Sequence, residues 1–185
     1  MKRNMIVLMG GQGVGKGTFS KMLRTANEYN YIETGAVFRA LPADSAIAQL
    51  ISAGNLVPDS ELFKLMADTI TDDGHDLLID GFPRTTPQAQ WLVQNYADKF
   101  NIHILYLDVP EEIMIHRINK RIREGGGRTD DADATAVRRR LDAFWNITMP
   151  AIEWLRNAPG IRFSDVDVTG PVDENFANIL SAMQG

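Results

Sequence analysis

A glycine-rich turn near the start of the chain most constrains its fold. Residues 10–18 read G-G-Q-G-V-G-K-G-T, and the apolar run 5–9 precedes them. Glycines let backbone N–H groups curl round an anion because no Cβ is in the way, and a following helix adds the positive end of its dipole. Lys16 can reach the outer phosphates of a nucleoside triphosphate. The order strand, turn, lysine, helix therefore predicts a phosphate-binding loop; the alternative is a glycine-rich turn that holds no ligand.

The residue after the lysine sets this loop apart. Gly17 follows Lys16, and the hydroxyl residue Thr18 comes one position later. A hydroxyl directly after the lysine normally ligates Mg²⁺, so we expect the metal here to keep more of its water ligands. A dinucleotide-binding G-x-G-x-x-G pattern is excluded, because Lys16 or Thr18 occupies its last position in the two possible registers.

Length and composition predict one domain that works in the cytoplasm. The chain has 185 residues, of which 44% are hydrophobic and none is cysteine. The lack of cysteine excludes disulfides and thiolate metal sites. No apolar run approaches the roughly 20 residues of a membrane span, and the apolar run after Met1 is too short for a signal peptide. The three histidines show no ligand spacing, and we expect them on surfaces.

Basic residues are concentrated in one segment of an otherwise acidic chain. The net charge is −5, yet eight of the 19 Lys and Arg residues lie in one stretch. They are Arg117, Lys120, Arg121, Arg123, Arg128, Arg138, Arg139 and Arg140. This predicts a local polyanion site rather than a nucleic-acid surface, since no aromatic residues interleave there. For Arg123, Arg138 and Arg139 the alternative is a solvated helix face with ion pairs. The glycine triplet 125–127 within the segment suits a flap.

Apolar periodicity predicts alternating strands and helices. Strands are predicted near residues 4–9, 30–33, 76–80, 102–108 and 161–166. Helices are predicted near residues 16–27, 44–53, 59–72, 86–98, 110–124, 133–155 and 172–183. This alternation is typical of an α/β fold with a parallel sheet covered on both faces. Ligands then bind beyond the carboxyl ends of the strands, where Gly10, Thr34 and Asp80 fall.

Asp80 is a candidate metal ligand. It ends an apolar strand and begins the segment D-G-F-P-R. A carboxylate at a strand end beside a phosphate loop suits Mg²⁺. The alternative is an Asp that opens a turn before Gly81.

Motifs spread over nearly the whole chain resemble those of the adenylate kinases, of the nucleoside monophosphate kinase family. The loop ending G-K-G-T is the family's form. Thr34-Gly35 with Arg39 resembles T-G-D-x-x-R, and residues 54–59, G-N-L-V-P-D, resemble G-x-x-V-x-D. The most specific segment is D-G-F-P-R-T at 80–85 with Gln88. The remaining matches, in the lid region, are R-x-x-x-R from Arg117, G-R-T-D-D from Gly127, and Arg140-Leu141.

The resemblance implies a fold and an activity. The fold is that of P-loop NTPases: a five-stranded parallel sheet flanked by helices, with an AMP-binding excursion at about 33–57 and a short lid at about 121–129. The activity is the reversible, Mg²⁺-dependent transfer of the ATP γ-phosphoryl group to AMP. AMP phosphate is already ionised, so positioning and charge stabilisation suffice without a general base. The implied enzyme is a monomer whose partners are ATP and AMP, with no nucleic acid or membrane.

The resemblance also implies site residues. The catalytic cations are Lys16, Arg84, Arg121, Arg128 and Arg140. The ATP-binding residues are Gly11, Gly13, Val14, Gly15, Lys16, Gly17, Thr18, Arg117, Arg121 and Gly170. The AMP-binding residues are Thr34, Gly35, Arg39, Asn55, Leu56, Val57, Gly81, Phe82, Pro83, Arg84, Gln88, Arg128 and Arg140. Arg117 would stack on the ATP adenine, the Gly170 carbonyl would meet that base, and Asp80 would hold Mg²⁺.

Thr34 and Gln88 favour adenine in the acceptor site. Family members that act on uridylate and cytidylate tend to have Ala before Gly35 and Asn near position 88. A Gln amide can pair with the N1 and N6 edge of adenine, one acceptor to one donor. The alternative for Gln88 is an exposed residue at a helix start.

Departures from the family pattern leave a second function open. Gln12 replaces the usual Pro, Ala36 replaces a frequent Asp, and the stretch from Arg39 to Gly54 is shorter than usual. The span from Arg128 to Arg140 is one residue longer than usual, so Arg140 is chosen over Arg139 by a judgement of register. The second function is a nucleotide-responsive binding protein with little or no turnover.

Overall fold

The computed structural model describes residues 2–52, 57–125 and 134–184, without the side chains of residues 50–52. Its five strands are β1 (Arg3–Met9), β2 (Tyr29–Glu33), β3 (Asp76–Asp80), β4 (Phe100–Asp108) and β5 (Arg162–Asp167). Its α-helices are α1 (Lys16–Ala26), α2 (Thr34–Ala40), α3 (Ala46–Ser52), α4 (Asp59–Thr69), α5 (Thr86–Tyr96), α6 (Glu111–Arg123), α7 (Ala134–Ala143), α8 (Met149–Arg156) and α9 (Val172–Gln184). A π-helical turn, Phe144–Thr148, joins α7 to α8.

The strands form one parallel sheet in the order β2-β3-β1-β4-β5. Strands β1 and β4 lie inside the sheet and are almost continuously buried, as expected where helices cover both faces. The register places Leu8 opposite Asp80 and Glu33 opposite Asp80, so β1, β2 and β3 end together. The predicted α/β fold and all five predicted strands are confirmed.

The structure differs from the predicted helices in two places. The stretch before residue 44 contains an additional helix, α2, whose Gly35 weakens any helical signal in the sequence. The predicted helix 133–155 is divided by the π-helical turn. Pro150 lies in the first turn of α8 and has no N–H to donate to the preceding turn, which the wider π turn accommodates.

One histidine is not on the surface. His103 on β4 is only 5% exposed, although a surface strand position was expected. Its Nε2 lies 2.9 Å from Ser164 Oγ on the neighbouring strand β5. The strand buries both faces, so even a polar residue of β4 is covered.

Parts of the predicted excursion and lid lie outside the described residues, namely 53–56 and 126–129. Within the described part of the chain, no helix has the length and apolar character to cross a membrane.

Candidate functional site

The glycine-rich turn folds tightly against α6. Gly13 has φ +84, a left-handed conformation, and a Cβ there would lie 2.7 Å from the Met114 carbonyl oxygen. Only glycine fits such a position without strain. The turn ends at Gly15, which caps α1 without any side-chain hydrogen bond, and the first turn of α1 carries no acidic residue. The first N–H groups of α1 therefore face the turn as an anion site.

Lys16 lies over this turn. Its Nζ donates to the Gly10 carbonyl at 2.7 Å and to the Gly11 carbonyl at 3.0 Å. As the first residue of α1, it places its ammonium group beside the helix N-terminus. The predicted phosphate loop is thus present as a geometric unit, with its lysine folded onto the backbone that would surround a phosphate.

Asp80 ends β3 next to this loop and is 8% exposed. Thr34, the first residue of α2, donates its hydroxyl to the Asp80 carbonyl at 3.2 Å. Gly10, Thr34 and Asp80 therefore meet at the carboxyl edge of the sheet, as predicted. Among the described residues no group of three or more acidic or histidine side chains could hold a metal ion by itself. A single buried carboxylate fits a Mg²⁺ ion whose other ligands are phosphate oxygens and waters.

Gly81 allows the chain to turn sharply after Asp80. Its φ is +91, and a Cβ would overlap Thr34 Oγ1. Arg84 Nε donates to the Gly81 carbonyl at 2.8 Å, while Phe82 is buried and the Phe82–Pro83 peptide bond is cis. This turn brings Arg84 to the same edge as Thr34.

Gln88 is buried and held at both ends of its amide. It is 8% exposed, so the alternative of an exposed Gln at a helix start is wrong. Its Oε1 accepts the backbone N–H of Arg84 at 2.8 Å, and its Nε2 donates to Asp59 Oδ1 at 3.1 Å. Thr85 caps α5 by accepting the Gln88 backbone N–H. The sequence marked Asp59 as a helix start, and no spacing signal connects it with a residue 29 positions away.

Arg117 joins the phosphate loop to the connection between β5 and α9. From α6, its guanidinium donates to the Val14 carbonyl at 3.3 Å and to the Val168 carbonyl at 2.6 Å. Burial lowers the pKa of this guanidinium from its usual value. The Gly170 carbonyl accepts a hydrogen bond from Asn175 Nδ2 at 2.7 Å. The residues predicted for the ATP base thus lie beside the loop predicted for its phosphates.

The arginine-dense segment is divided in its roles. Arg138 pairs with Asp142 at 2.6 Å and with Glu111 at 2.7 Å, which confirms the helix-face alternative for this residue. Arg121 lies in the last turn of α6 and Arg140 in the last turn of α7. Contact of these two side chains with the transferring phosphate stays a prediction.

Of the remaining residues predicted for the AMP side, the structure describes some and not others. Arg39 lies in the last turn of α2 and pairs with Glu33 at 3.2 Å, beside Gly35. Three predicted residues lie outside the described part of the chain: Asn55, Leu56 and Arg128.

Comparison with known proteins agrees with this geometry. The family model described as adenylate kinase matches residues 8–159. An adenylate kinase of Phocaeicola vulgatus is 33% identical over 188 residues, which cover 97% of each chain. One of Porphyromonas gingivalis is 34% identical and covers 91% of this chain and 90% of its own, and one of Bacteroides thetaiotaomicron is 32% identical over 96% and 97%. A phosphate loop, a carboxylate and an arginine turn at one sheet edge, together with a match of this extent, place the chain in the adenylate kinase family.

Proposed function

We propose that the chain transfers the γ-phosphoryl group of ATP to AMP, reversibly, and so forms two ADP. One observation carries the proposal. The loop with Lys16, the carboxylate Asp80 and the turn that bears Arg84 come together at the carboxyl edge of one parallel sheet. Members of the matched family are named adenylate kinases, in agreement with this reaction.

On the ATP side, the loop and the α1 N-terminus bind the phosphates. Lys16 gives up its hydrogen bonds to the Gly10 and Gly11 carbonyls and donates to phosphate oxygens instead. Arg117 and Gly170 hold the base at the connection between β5 and α9, since Arg117 already contacts that connection and the loop at once. ATP is thereby held both at its base and at its phosphates, which fixes the direction of its terminal phosphate.

On the AMP side, Arg39 and Arg84 bind the phosphate as bidentate donors. The base pocket uses Thr34, Val57 and Gln88, and Gly81 lines it together with residues 55, 56, 82 and 83. The acceptor phosphate is already ionised, so no general base is required. The task of Lys16 and of the lid arginines Arg121, Arg128 and Arg140 is to spread the charge that develops on the transferring group.

Asp80 is the residue that would hold Mg²⁺, largely through waters. When bound, the ion neutralises charge on the ATP phosphates. The position of Asp80 fits this role, since it is buried at the end of β3, beside the end of β1 from which the loop begins.

We also propose a monomer that works in the cytoplasm, where ATP and AMP are both present. Large hydrophobic side chains that are exposed in the described residues, Ile122, Ile147 and Val172, lie on three different elements and form no continuous seam. Sedimentation equilibrium tests this part, with a mass near 20.6 kDa as the expected result.

A coupled assay for ADP tests the reaction. ATP and Mg²⁺ are combined with AMP, CMP, UMP or GMP, and a reaction without acceptor is the control. We expect ADP to form faster with AMP than with CMP, UMP or GMP. No ADP above the control with any acceptor would favour the nucleotide-responsive binding protein, and a preference for CMP or UMP would overturn the adenine assignment. Tight binding of two adenosines joined by five phosphates would require both pockets together.

A further inference from the structure

The amide of Gln88 is held by two partners of opposite kind. Its Oε1 faces the Arg84 backbone N–H at 2.8 Å, and its Nε2 faces the Asp59 carboxylate at 3.1 Å. A backbone N–H can only donate, and an ionised carboxylate can only accept. These partners therefore decide which end of the amide is oxygen and which is nitrogen.

A flip of this amide would lose both hydrogen bonds. Nε2 would then face the Arg84 N–H, donor against donor, and Oε1 would face Asp59, acceptor against acceptor. Because Gln88 is 8% exposed, water does not readily replace the lost partners. The amide is consequently fixed in one of its two orientations before any nucleotide arrives.

An amide carries two N–H hydrogens and two oxygen lone pairs. Asp59 and Arg84 use one of each, which leaves one donor and one acceptor in a fixed order. Adenine presents the complementary order, an acceptor at N1 beside a donor at the 6-amino group. A 6-oxopurine presents the reverse, a donor at N1 beside an acceptor at O6, and would pair only with the flipped amide.

We propose that Asp59 is a positioning residue that locks the Gln88 amide and so makes the acceptor site select 6-aminopurine over 6-oxopurine monophosphates. This inference rests on the proposed function, because it assumes that Gln88 meets the base of AMP. Asp59 acts through Gln88 and need not touch the nucleotide. Of the two locking groups it is the one that mutation can change, since the other is a backbone N–H.

Asp59→Asn tests the lock with almost no change in shape. An Asn at this position can accept from Nε2 of the present Gln88 amide or donate to Oε1 of the flipped one. Flipping the amide would then cost only the hydrogen bond to the Arg84 N–H. We expect kcat/KM for AMP to change by a few-fold at most. We expect kcat/KM for IMP to rise by about tenfold, the factor that corresponds to one hydrogen bond of ordinary strength.

Glu61→Gln is the matched control. Glu61 lies in the same first turn of α4 and pairs with Lys64, so its substitution removes the same charge from the same helix end. The AMP to IMP ratio of this variant should equal that of the wild type. If Asp59 served only to start α4, Asp59→Asn would lower kcat/KM for AMP and for IMP together and leave their ratio unchanged. That result would overturn the proposal.

A double-variant cycle shows whether the effect passes through Gln88. In a Gln88→Leu background, Asp59→Asn should give no gain with IMP, because no amide remains to flip. A tenfold gain in that background would contradict the proposal. Circular dichroism melts of each variant show that the compared proteins are folded.

Binding measurements separate this inference from the proposed function. Calorimetric Kd values for AMP and IMP are measured on the same proteins, and the ratio should shift as it does in kcat/KM. A shift in Kd without any turnover would support the lock and overturn the proposed reaction. Turnover of AMP with no shift in either ratio would support the reaction and overturn the lock.

Discussion

The sheet has one edge at the amino ends of its strands and another at their carboxyl ends. Both edges carry polar groups, but the groups have opposite roles. At the amino edge, Asp76 accepts two hydrogen bonds from Asn4, and Arg162 donates to the Ala182 and Met183 carbonyls at the end of α9. At the carboxyl edge, the α1 N-terminus has no side-chain cap and Lys16 lies beside it. In a parallel α/β fold, helices begin at the carboxyl edge and end at the amino edge. Their dipoles therefore favour anions at one edge and cations such as Arg162 at the other.

Whether a polar cluster is a binding site depends on whether its groups are already hydrogen-bonded within the protein. A cavity of about 170 Å³ at the amino edge is lined by polar residues such as Asn101 and His103, yet these are paired within the protein. The carboxyl edge holds helix N–H groups that an anion can complete. We therefore expect mutations of polar groups at the carboxyl edge to impair activity, and mutations of polar groups at the amino edge to alter stability.

Lys16→Met should have the largest effect. It removes the charge that we assign to the transferring phosphate, so kcat/KM should fall by roughly 10²–10³-fold in the coupled assay. The free energy of unfolding should change by less than about 1 kcal/mol, because the hydrogen bonds from Lys16 to the Gly10 and Gly11 carbonyls are of ordinary strength. Lys21→Met, on an exposed position of the same helix, is the control and should remain active. Equal impairment of both variants would contradict the role of Lys16.

Gly81→Ala should be destabilising because it combines a left-handed φ of +91 with an overlap on Thr34 Oγ1. We expect a loss of about 2–3 kcal/mol in urea unfolding. Gly17→Ala is the matched comparison, since nothing lies within 4 Å of its Cβ position and it sits inside α1. That variant should gain up to about 1 kcal/mol from helix propensity. Equal effects of the two substitutions would show that the turn geometry after Asp80 is not required.

His103 should make the amino edge sensitive to acid. Burial, and to a smaller degree Arg162, lowers its pKa from 6.5 to about 4. Between these values the unfolded chain binds more protons than the folded one, so stability falls as the pH drops from about 6.5 towards 4 and changes no further below that. A difference of about 2.5 pKa units corresponds to a loss of at most about 3 kcal/mol.

The measurement for His103 is urea unfolding of the wild type and of His103→Gln at pH 7.5 and pH 4.5. The variant keeps a hydrogen-bonding group opposite Ser164 but cannot titrate, so it should lose less stability than the wild type. Parallel losses in the two proteins would mean that His103 is not the titrating group.

Asp72→Asn should have the smallest effect. The Arg3–Asp72 pair at the amino edge has an N–O distance of 3.3 Å, and the Asp72 side chain is 58% exposed. An exposed pair of this kind contributes less than about 0.5 kcal/mol, and high salt should remove even that difference. A loss above about 1 kcal/mol would show that surface charge, rather than buried pairing, holds this edge.

Local patterns predicted much of this molecule. The mostly apolar runs 76–80 and 102–108 predict strands of a sheet that is covered on both faces. The helix predicted at 59–72 is present as α4 and buries Leu62 and Met66 on one side. The glycine-rich loop was predictable because glycine, lysine and helix start follow one another along the chain. The short helix α2 was missed since Gly35 lowers its propensity, and the π turn was missed although Pro150 is its visible cause.

Contacts between distant segments could not be predicted in this way. Gln88 and Asp59 are 29 positions apart, and their hydrogen bond depends on how α4 packs beside α5. The burial of His103 likewise depends on β5. Its partner opposite on that strand, Arg162, is 59 residues further along the chain. No periodicity in either segment carries that information.

The amino-acid sequence alone determined which groups are available: a loop of glycines that can fold round phosphate, a lysine at a helix start, a carboxylate at a strand end and a turn with arginine. These depend on local backbone preferences and on residues that are neighbours in the chain. Which of these groups meet depends on the packed fold. There Asp59 holds Gln88, Arg117 links the phosphate loop to the connection between β5 and α9, and the polar side chains at the amino edge pair with one another. The reason is physical: hydrogen bonds and desolvation depend on distance in space, and the packing of helices on the sheet sets those distances.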